Sequence, residues 1–286
     1  MENIDLLANW NGKEMPLADV RVSVLDRAFL FGDSVYEVIR IYNKFSFRVD
    51  DHFARMQKSL DSLQFQGVDL NIVRRRLNQL INTSNLDNAL AYIQITRGVA
   101  KRTHHYPENY EPNVLIYIEP FGDPYKQERI DGARVVTHPD IRWRRNDIKA
   151  TSLAANCIAS SFARERGCLE VIFINNEGYM TEGSHTSMFG IKGGKLLVTP
   201  SNANVLPGIT KRQVLEIAEN INLSVEEARV KEDEIHQLDE LFLAGTPEEI
   251  IPIVSVDDKP VGSGAPGPIV RKIYEEFQTI LGATRT

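Results

Sequence analysis

The chain has 286 residues, 42% of them hydrophobic and 25% charged, the balance of a globular protein of about two domains with an ample core. Lys and Arg number 33 against 39 Asp and Glu, a net charge of −6, which speaks against the broad basic surface of a nucleic-acid binder. Two cysteines, Cys157 and Cys168, are too few for a disulfide framework and lack zinc-ligand spacing, so they read as buried thiols in a reducing compartment.

In chain order, residues 6–10 read as an apolar strand, Asn11-Gly12 as the favoured two-residue turn, and the stretch beyond as the returning strand. Residues 34–42, the turn Asn43-Lys44 and residues 45–49 form a second hairpin. Asp50 or Asp51 then caps a helix on which Phe53, Met56, Leu60 and Leu63 share one face. A helix over 71–82 turns Val73, Leu77, Leu80 and Ile81 inward, and strands follow at 90–96 and 113–119. The run Glu119-Pro120-Phe121-Gly122-Asp123-Pro124 marks a linker at 121–127. It divides an N-terminal domain, 1–120, from a C-terminal domain, 128–286.

The second half reads as a strand at 134–137, a helix at 152–166, a strand at 170–174 and a turn at 175–178. A hairpin of 188–191 with 196–199 follows, then a helix at 209–221, a strand at 240–243, a hairpin at 253–261 and a closing helix at 268–281. Strands and helices mix, mostly as hairpins, which predicts an α+β fold. No glycine-rich dinucleotide or P-loop motif is present. The first residues do not read as a signal peptide, and no apolar run approaches the roughly 20 residues of a membrane helix, so a cytoplasmic location is expected.

Five segments carry chemistry. Lys149 stands where an extended stretch meets a helix. A lone lysine is most often a solvated surface group, but Arg144 and Arg145 would favour its neutral amine if they lay close. Glu182 lies in the hydroxyl-rich run Thr181-Glu182-Gly183-Ser184-His185-Thr186-Ser187. It is either an ordinary loop carboxylate or a buried one facing a cation. Leu206-Pro207-Gly208-Ile209-Thr210-Lys211 opens an amphipathic helix whose first amides suit an anion, although a plain helix start is the commoner meaning. Ala244-Gly245-Thr246-Pro247 is a second turn of this kind, and the two together suggest a phosphate held from two sides. Residues 97–106 are basic within an acidic chain. Arginine there suits bidentate capture of a carboxylate, with a histidine as a second donor. The segment is too short for a nucleic-acid patch, and His104 and His105 lack a third metal ligand at useful spacing.

Together with Asp26-Arg27-Ala28-Phe29-Leu30-Phe31-Gly32-Asp33-Ser34-Val35-Tyr36-Glu37 and the stretch from Phe242 to Pro252, these segments resemble the fold-type IV pyridoxal-phosphate-dependent aminotransferases in order and spacing. Within that family the chain is most similar to bacterial D-amino acid transaminases. The similarity is carried by Gln94-Ile95-Thr96-Arg97-Gly98, Arg102-Thr103-His104, Pro107-Glu108 and Asp147-Ile148-Lys149. The resemblance implies a two-domain α+β enzyme with pyridoxal 5′-phosphate at the domain interface. It implies that Lys149, the catalytic residue, forms a Schiff base with the cofactor and then serves as the base. Arg55, Ile209, Thr210 and Thr246 would hold the phosphate, Glu182 the pyridine nitrogen, and Leu206 the ring face. Tyr36, Arg102 and His104 would hold the substrate carboxylate, with the Arg102–His104 loop reaching over from the neighbouring subunit of a homodimer.

The implied reaction is ping-pong transfer of an amino group between a D-amino acid, such as D-alanine or D-glutamate, and a 2-oxo acid. No metal, nucleic acid or membrane takes part. An L-branched-chain aminotransferase or an aminodeoxychorismate lyase of the same fold is the alternative, and Arg102-x-His104 discriminates against it. A non-catalytic pyridoxal-phosphate-binding protein is a third reading, opposed by the complete set of Lys149, Arg55 and Glu182. The chain departs from the family at Ser34, His185, Ser187, Lys211, Pro247 and Glu248.

Overall fold

A computed structural model describes residues 6–201 and 204–283. The chain divides into two compact units. The first contains the residues up to Gly122 together with Ile148–Ser152, and the second contains Asp123–Asp147 and the residues from Leu153 onward. The sequence reading placed Lys149 in the C-terminal domain. In the structure its segment groups with the first unit, because Tyr36 N–H donates to the Lys149 carbonyl at 3.0 Å and Thr151 N–H to the Ser34 carbonyl at 3.2 Å.

The first unit opens with the hairpin β1 (Leu7–Trp10) and β2 (Lys13–Pro16). The short helix α1 (Arg27–Phe31) follows, capped by Asp26, whose carboxylate accepts from Ala28 N–H. Next come β3 (Ser34–Tyr42) and β4 (Phe45–Ser46), joined by Asn43 and Lys44, both with positive φ as this tight turn requires. Helices α2 (Val49–Ser62) and α3 (Leu70–Ser84) precede β5 (Ala89–Thr96) and β6 (Asn113–Pro120). The cap of α2 is Arg48 in a left-handed conformation; Asp50 and Asp51, expected there, lie inside the first turn, where their charge favours the helix N-terminus.

The six strands form an antiparallel sheet in the order β2-β1-β6-β5-β3-β4. Val35, Ile39 and Ile41 of β3 and Ile93 and Ile95 of β5 pack with Met56 and Leu60 of α2 and Leu77 and Leu80 of α3. The alternation of β3 places Glu37 in step with Val35 and Ile39, so a carboxylate stands among core positions.

The second unit contains α4 (Lys126–Asp131), β7 (Ala133–Pro139), α5 (Ala154–Glu165), β8 (Glu170–Ile174), β9 (Ser187–Lys192), β10 (Lys195–Val198), α6 (Ile209–Asn220) and β11 (Val225–Glu227). It ends with β12 (Glu240–Gly245), β13 (Glu249–Val256), β14 (Lys259–Pro260) and α7 (Pro268–Ala283). The sheet order is β11-β10-β9-β12-β13-β7-β8, with β14 on β13. It is mixed, since β7 runs parallel to both β8 and β13. The hairpin expected to begin at 253 begins at Glu249, which takes a positive φ of 61° directly after the 246–248 turn. Phe189 and Phe242 are register partners and stack at 4.7 Å, fixing β9 against β12.

The cysteines are free as expected but not buried: Cys157 is exposed on α5 and Cys168 is partly exposed. Among the described residues no helix is long and apolar enough to cross a membrane, and no cluster of His, Cys, Asp or Glu is arranged to hold a metal ion.

Candidate active site

In the first unit the site starts from the buried face of α2. His52, Arg55 and Ser59 share that face with Phe53, Met56 and Leu60, at helical spacing. Glu37, 1% exposed, meets them from β3. Arg55 donates to both Glu37 oxygens, from Nε and Nη2, at 2.7 Å each. Glu37 Oε2 also meets His52 Nδ1 at 2.7 Å. Burial alone would raise the Glu37 carboxyl, but the Arg55 charge and hydrogen bonds, with His52, outweigh it and hold the group at about 2. Burial pushes His52 the other way, below its usual range; Glu37 opposes this, and the charges of Arg55 and Lys149 add to it. His52 is therefore a neutral imidazole donating Nδ1–H to an ionised Glu37, a group that the sequence reading did not single out.

Lys149 is tied to this cluster through its backbone, its N–H donating to Ser59 Oγ at 3.1 Å. Its amine makes no hydrogen bond or ion pair with the described residues and lies 4.3 Å from the centroid of the Tyr36 ring. Tyr36 begins a row of stacked rings, 5.8 Å to Tyr92 and then 5.0 Å to Tyr117. Burial, and after it the charges of Tyr117 and Tyr36, raise the Tyr92 phenol and keep it neutral.

Arg102 and His104 both pack on Phe31, at 5.3 Å and 5.7 Å, and both are exposed. Among the described residues neither makes a hydrogen bond or ring contact with Tyr36 in the same chain. Their loop is anchored by Arg27, whose Nη1 donates to the Thr103 carbonyl at 2.7 Å. Arg27 Nε and Arg97 Nε converge on Asp33 Oδ2 at 2.7 and 2.8 Å. Arg97 is wholly buried, its guanidinium 3.8 Å from the Tyr106 ring, so it holds the loop rather than a ligand.

In the second unit Glu182 is 5% exposed. Its Oε1 accepts from Arg142 Nη1 at 2.6 Å and its Oε2 from Leu206 N–H at 3.0 Å. Asp140 holds the other edge of Arg142 through Nε at 2.9 Å and Nη2 at 2.8 Å. Burial raises the Glu182 carboxyl, against the lowering by Arg142 and the Leu206 amide. A carboxylate made more basic in this way is a strong acceptor for a ring N–H. Arg145, by contrast, is an exposed group paired with Asp147 at 2.9 Å.

Ile209 and Thr210, both buried, open α6, and among the described residues no side chain caps its first amides. A Cβ on Gly208 would stand 2.7 Å from Ser187 Oγ and 3.1 Å from Lys211 Cβ, so a larger residue there would have to displace the Ser187 hydroxyl. Lys211 is buried and donates to the Thr199 carbonyl at 2.8 Å. Burial lowers its ammonium, and Glu182 opposes this. Thr246 occupies the turn between β12 and β13, half-buried.

An amine without a charged partner, a buried and basic carboxylate, and a helix start with uncapped amides are the donor set that an aldehyde, a pyridine nitrogen and a phosphate require. Taken unit by unit, these residues have the chemistry that pyridoxal 5′-phosphate requires.

The comparisons agree. Residues 34–256 match the class IV aminotransferase family. The chain is 36% identical over 280 residues to the D-alanine aminotransferase of Bacillus licheniformis, covering 96% of this chain and 97% of that protein. It is 34% identical to the D-alanine aminotransferase of Staphylococcus aureus (strain MSSA476), covering 94% and 95%. Its structure is similar to the branched-chain amino acid aminotransferase of Escherichia coli, with a TM-score of 0.89 and 27% identity over 96% of this chain and 93% of that one. The chain belongs to the class IV aminotransferases, α+β enzymes that use pyridoxal 5′-phosphate.

Proposed function

We propose that this aminotransferase takes D-amino acids, transferring the amino group of a substrate such as D-alanine or D-glutamate to a 2-oxo acid. The observation that carries the reading is the anchored loop presenting Arg102 and His104, in a chain 36% identical to a D-alanine aminotransferase along nearly its whole length. A solved relative with the same fold is a branched-chain enzyme at lower identity, 27%, so the fold leaves the substrate open and the reading turns on the loop.

When bound, the cofactor supplies an aldehyde that condenses with amines and a ring that draws electrons from the adjacent carbon. Lys149 would hold that aldehyde through its amine, and the same amine would serve as the base that moves a proton between the substrate Cα and the cofactor's aldehyde carbon. Glu182, made basic by burial, holds the proton on the ring nitrogen, and Arg142 fixes its orientation. Arg55, Ile209, Thr210 and Thr246 would hold the phosphate, and Leu206 would pack on the ring. Tyr36, Arg102 and His104 hold the α-carboxylate and so select which face of Cα meets Lys149.

The protein works as a homodimer in which the Arg102–His104 loop serves the neighbouring subunit. This is supported by the failure of that loop to reach Tyr36 within its own chain. It is supported too by the apolar surface beside the loop, where Val24 is 66%, Phe29 71% and Val99 50% exposed. Arg102→Ala tests the substrate reading. Loss of a charge-assisted carboxylate contact lowers kcat/KM for D-alanine about a hundredfold. Unchanged turnover and affinity would remove Arg102 from the site.

A further inference from the structure

His185, Glu170 and Glu248 form an ionic group that the reaction above does not use. Glu170 is 1% exposed and Glu248 2%, whereas the His185 side chain is 48% exposed. His185 Nδ1 lies 3.1 Å from Glu170 Oε2, and Nε2 lies 3.3 Å from Glu248 Oε1. Ser184 Oγ is 2.8 Å from the same Nδ1. A neutral imidazole donates from one nitrogen only, so carboxylates facing both nitrogens favour the doubly protonated ring over either neutral tautomer.

The two carboxylates are not equivalent. Glu170 accepts from Val171 N–H at 2.9 Å, Thr186 Oγ1 at 3.1 Å and His185 N–H at 3.3 Å. Neither oxygen of Glu248 accepts a well-aligned hydrogen bond, and among the described residues no other ion pair reaches it. The remaining groups around it add no cation. Tyr125, ahead of α4, is kept a neutral phenol by burial, by the charge of Glu248 and by its hydroxyl approaching that carboxylate as an off-line donor. Arg129 of α4 is taken up by the Glu248 carbonyl at 3.0 Å, the Pro247 carbonyl at 3.3 Å and Asp123 at 2.8 Å, with Glu249 3.6 Å away.

Glu248 belongs to the same turn as Thr246, and its carboxylate folds back beneath Gly245. A Cβ on Gly245 would stand 2.0 Å from Glu248 Oε2 and 3.3 Å from Thr186 Cγ2. A buried negative charge thus lies within two residues of a turn assigned to a phosphate, where like charges repel.

We propose that His185 is a positioning residue for the phosphate side of the site. As an imidazolium it offsets the charge of Glu248 and holds the 183–187 loop to the Thr246 turn, so retention of the cofactor depends on the His185–Glu248 pair. The inference rests on Thr246 binding phosphate. Its sign follows from charge. With His185 protonated the trio carries one net negative charge, and with His185 neutral it carries two, so phosphate affinity falls as the pH rises through the His185 titration.

The test is a charge cycle on the full chain, freed of cofactor and titrated with pyridoxamine 5′-phosphate. That ligand has the ring and phosphate but no aldehyde, so the readout is independent of Lys149. His185→Gln weakens binding about tenfold, the scale of ordinary coupling between sites. Glu248→Gln binds at least as tightly as the parent and loses the excess pH dependence that His185 confers. The double variant returns to within about twofold of Glu248→Gln. Nitrogen NMR of the parent shows both His185 ring nitrogens protonated at neutral pH, and an earlier titration in Glu248→Gln. If His185→Gln binds as tightly as the parent, if the double variant stays as weak as His185→Gln, or if His185 is neutral, the inference is overturned. Thr246→Ala separates the two levels. Unchanged affinity there removes the phosphate assignment, and with it this inference. Weakened affinity there with a flat His185–Glu248 cycle removes the inference alone.

Discussion

Glu37 is costly where it stands, a carboxylate in step with core residues of β3, and it is tolerated because His52 and Arg55 converge on it. The Arg55 guanidinium is thereby fixed as a rigid fork. Glu37→Gln leaves a buried cation short of its partner and lowers stability by about 3–5 kcal/mol, read from urea unfolding. Glu182→Gln keeps the shape at the ring nitrogen but not the basicity, so kcat falls about a hundredfold with a smaller change in KM. A rise in KM alone would place Glu182 in binding only. At this scale the sequence was legible in part. Lys149 and Glu182 drew attention through their neighbours, but neither position showed burial or partners. The Glu37–His52–Arg55 cluster went unread because a strand alternation hides one acidic residue. Its signal was on α2, where His52, Arg55 and Ser59 interrupt the apolar face of Phe53, Met56 and Leu60.

The elements that carry function are held by short structures with no periodicity of their own. Helix α1 has five residues, too few for a helical repeat, and was not anticipated as an element. The three-residue β11 and six-residue α4 escaped for the same reason. The hairpins were legible because their turns declare themselves, Asn11-Gly12 and Asn43-Lys44 both adopting the positive φ that the tight turn needs. Helix α1 supplies Arg27, which joins Asp33 to the Thr103 carbonyl and so sets the height of the Arg102–His104 loop. Arg27→Lys has one ammonium where the structure uses two separate nitrogens. It raises KM for D-alanine about tenfold while kcat changes little, and limited proteolysis at the 97–106 loop becomes faster. Equal kinetics and equal proteolysis would detach α1 from the loop.

At the scale of the molecule, the α+β class followed from hairpins mixed with amphipathic helices, whereas the return of Ile148–Ser152 to the first unit is a long-range pairing that no local pattern encodes. Stability should depend on pH through the first unit. Both His52 and Glu37 bind protons less tightly folded than unfolded, so the unfolded chain takes up more protons and acid favours it. The contribution is complete above the ordinary His value of 6.5, begins to fall as His52 titrates, and falls further from the ordinary Glu value of 4.5 toward about 2. The Glu37 part is roughly 3 kcal/mol, and a melting temperature followed against pH should drop over that window, with the limb below 4.5 flattening in Glu37→Gln while the His52 limb stays. The net charge of −6 speaks against the broad basic surface of a nucleic-acid binder. It is the wrong scale for a site, since the amides at the start of α6 and Arg102 of the 97–106 loop offer local positive ends inside an acidic protein. The measurement that bears most directly on the central claim is a half-reaction panel, in which holoenzyme is mixed with single D- or L-amino acids and the conversion of the aldehyde form of the cofactor to the amine form is followed by absorbance. D-alanine and D-glutamate convert it rapidly and their L-enantiomers do so at least about a hundredfold more slowly. A faster conversion by L-valine or L-leucine would contradict the assignment of the Arg102–His104 loop and of the D-substrate.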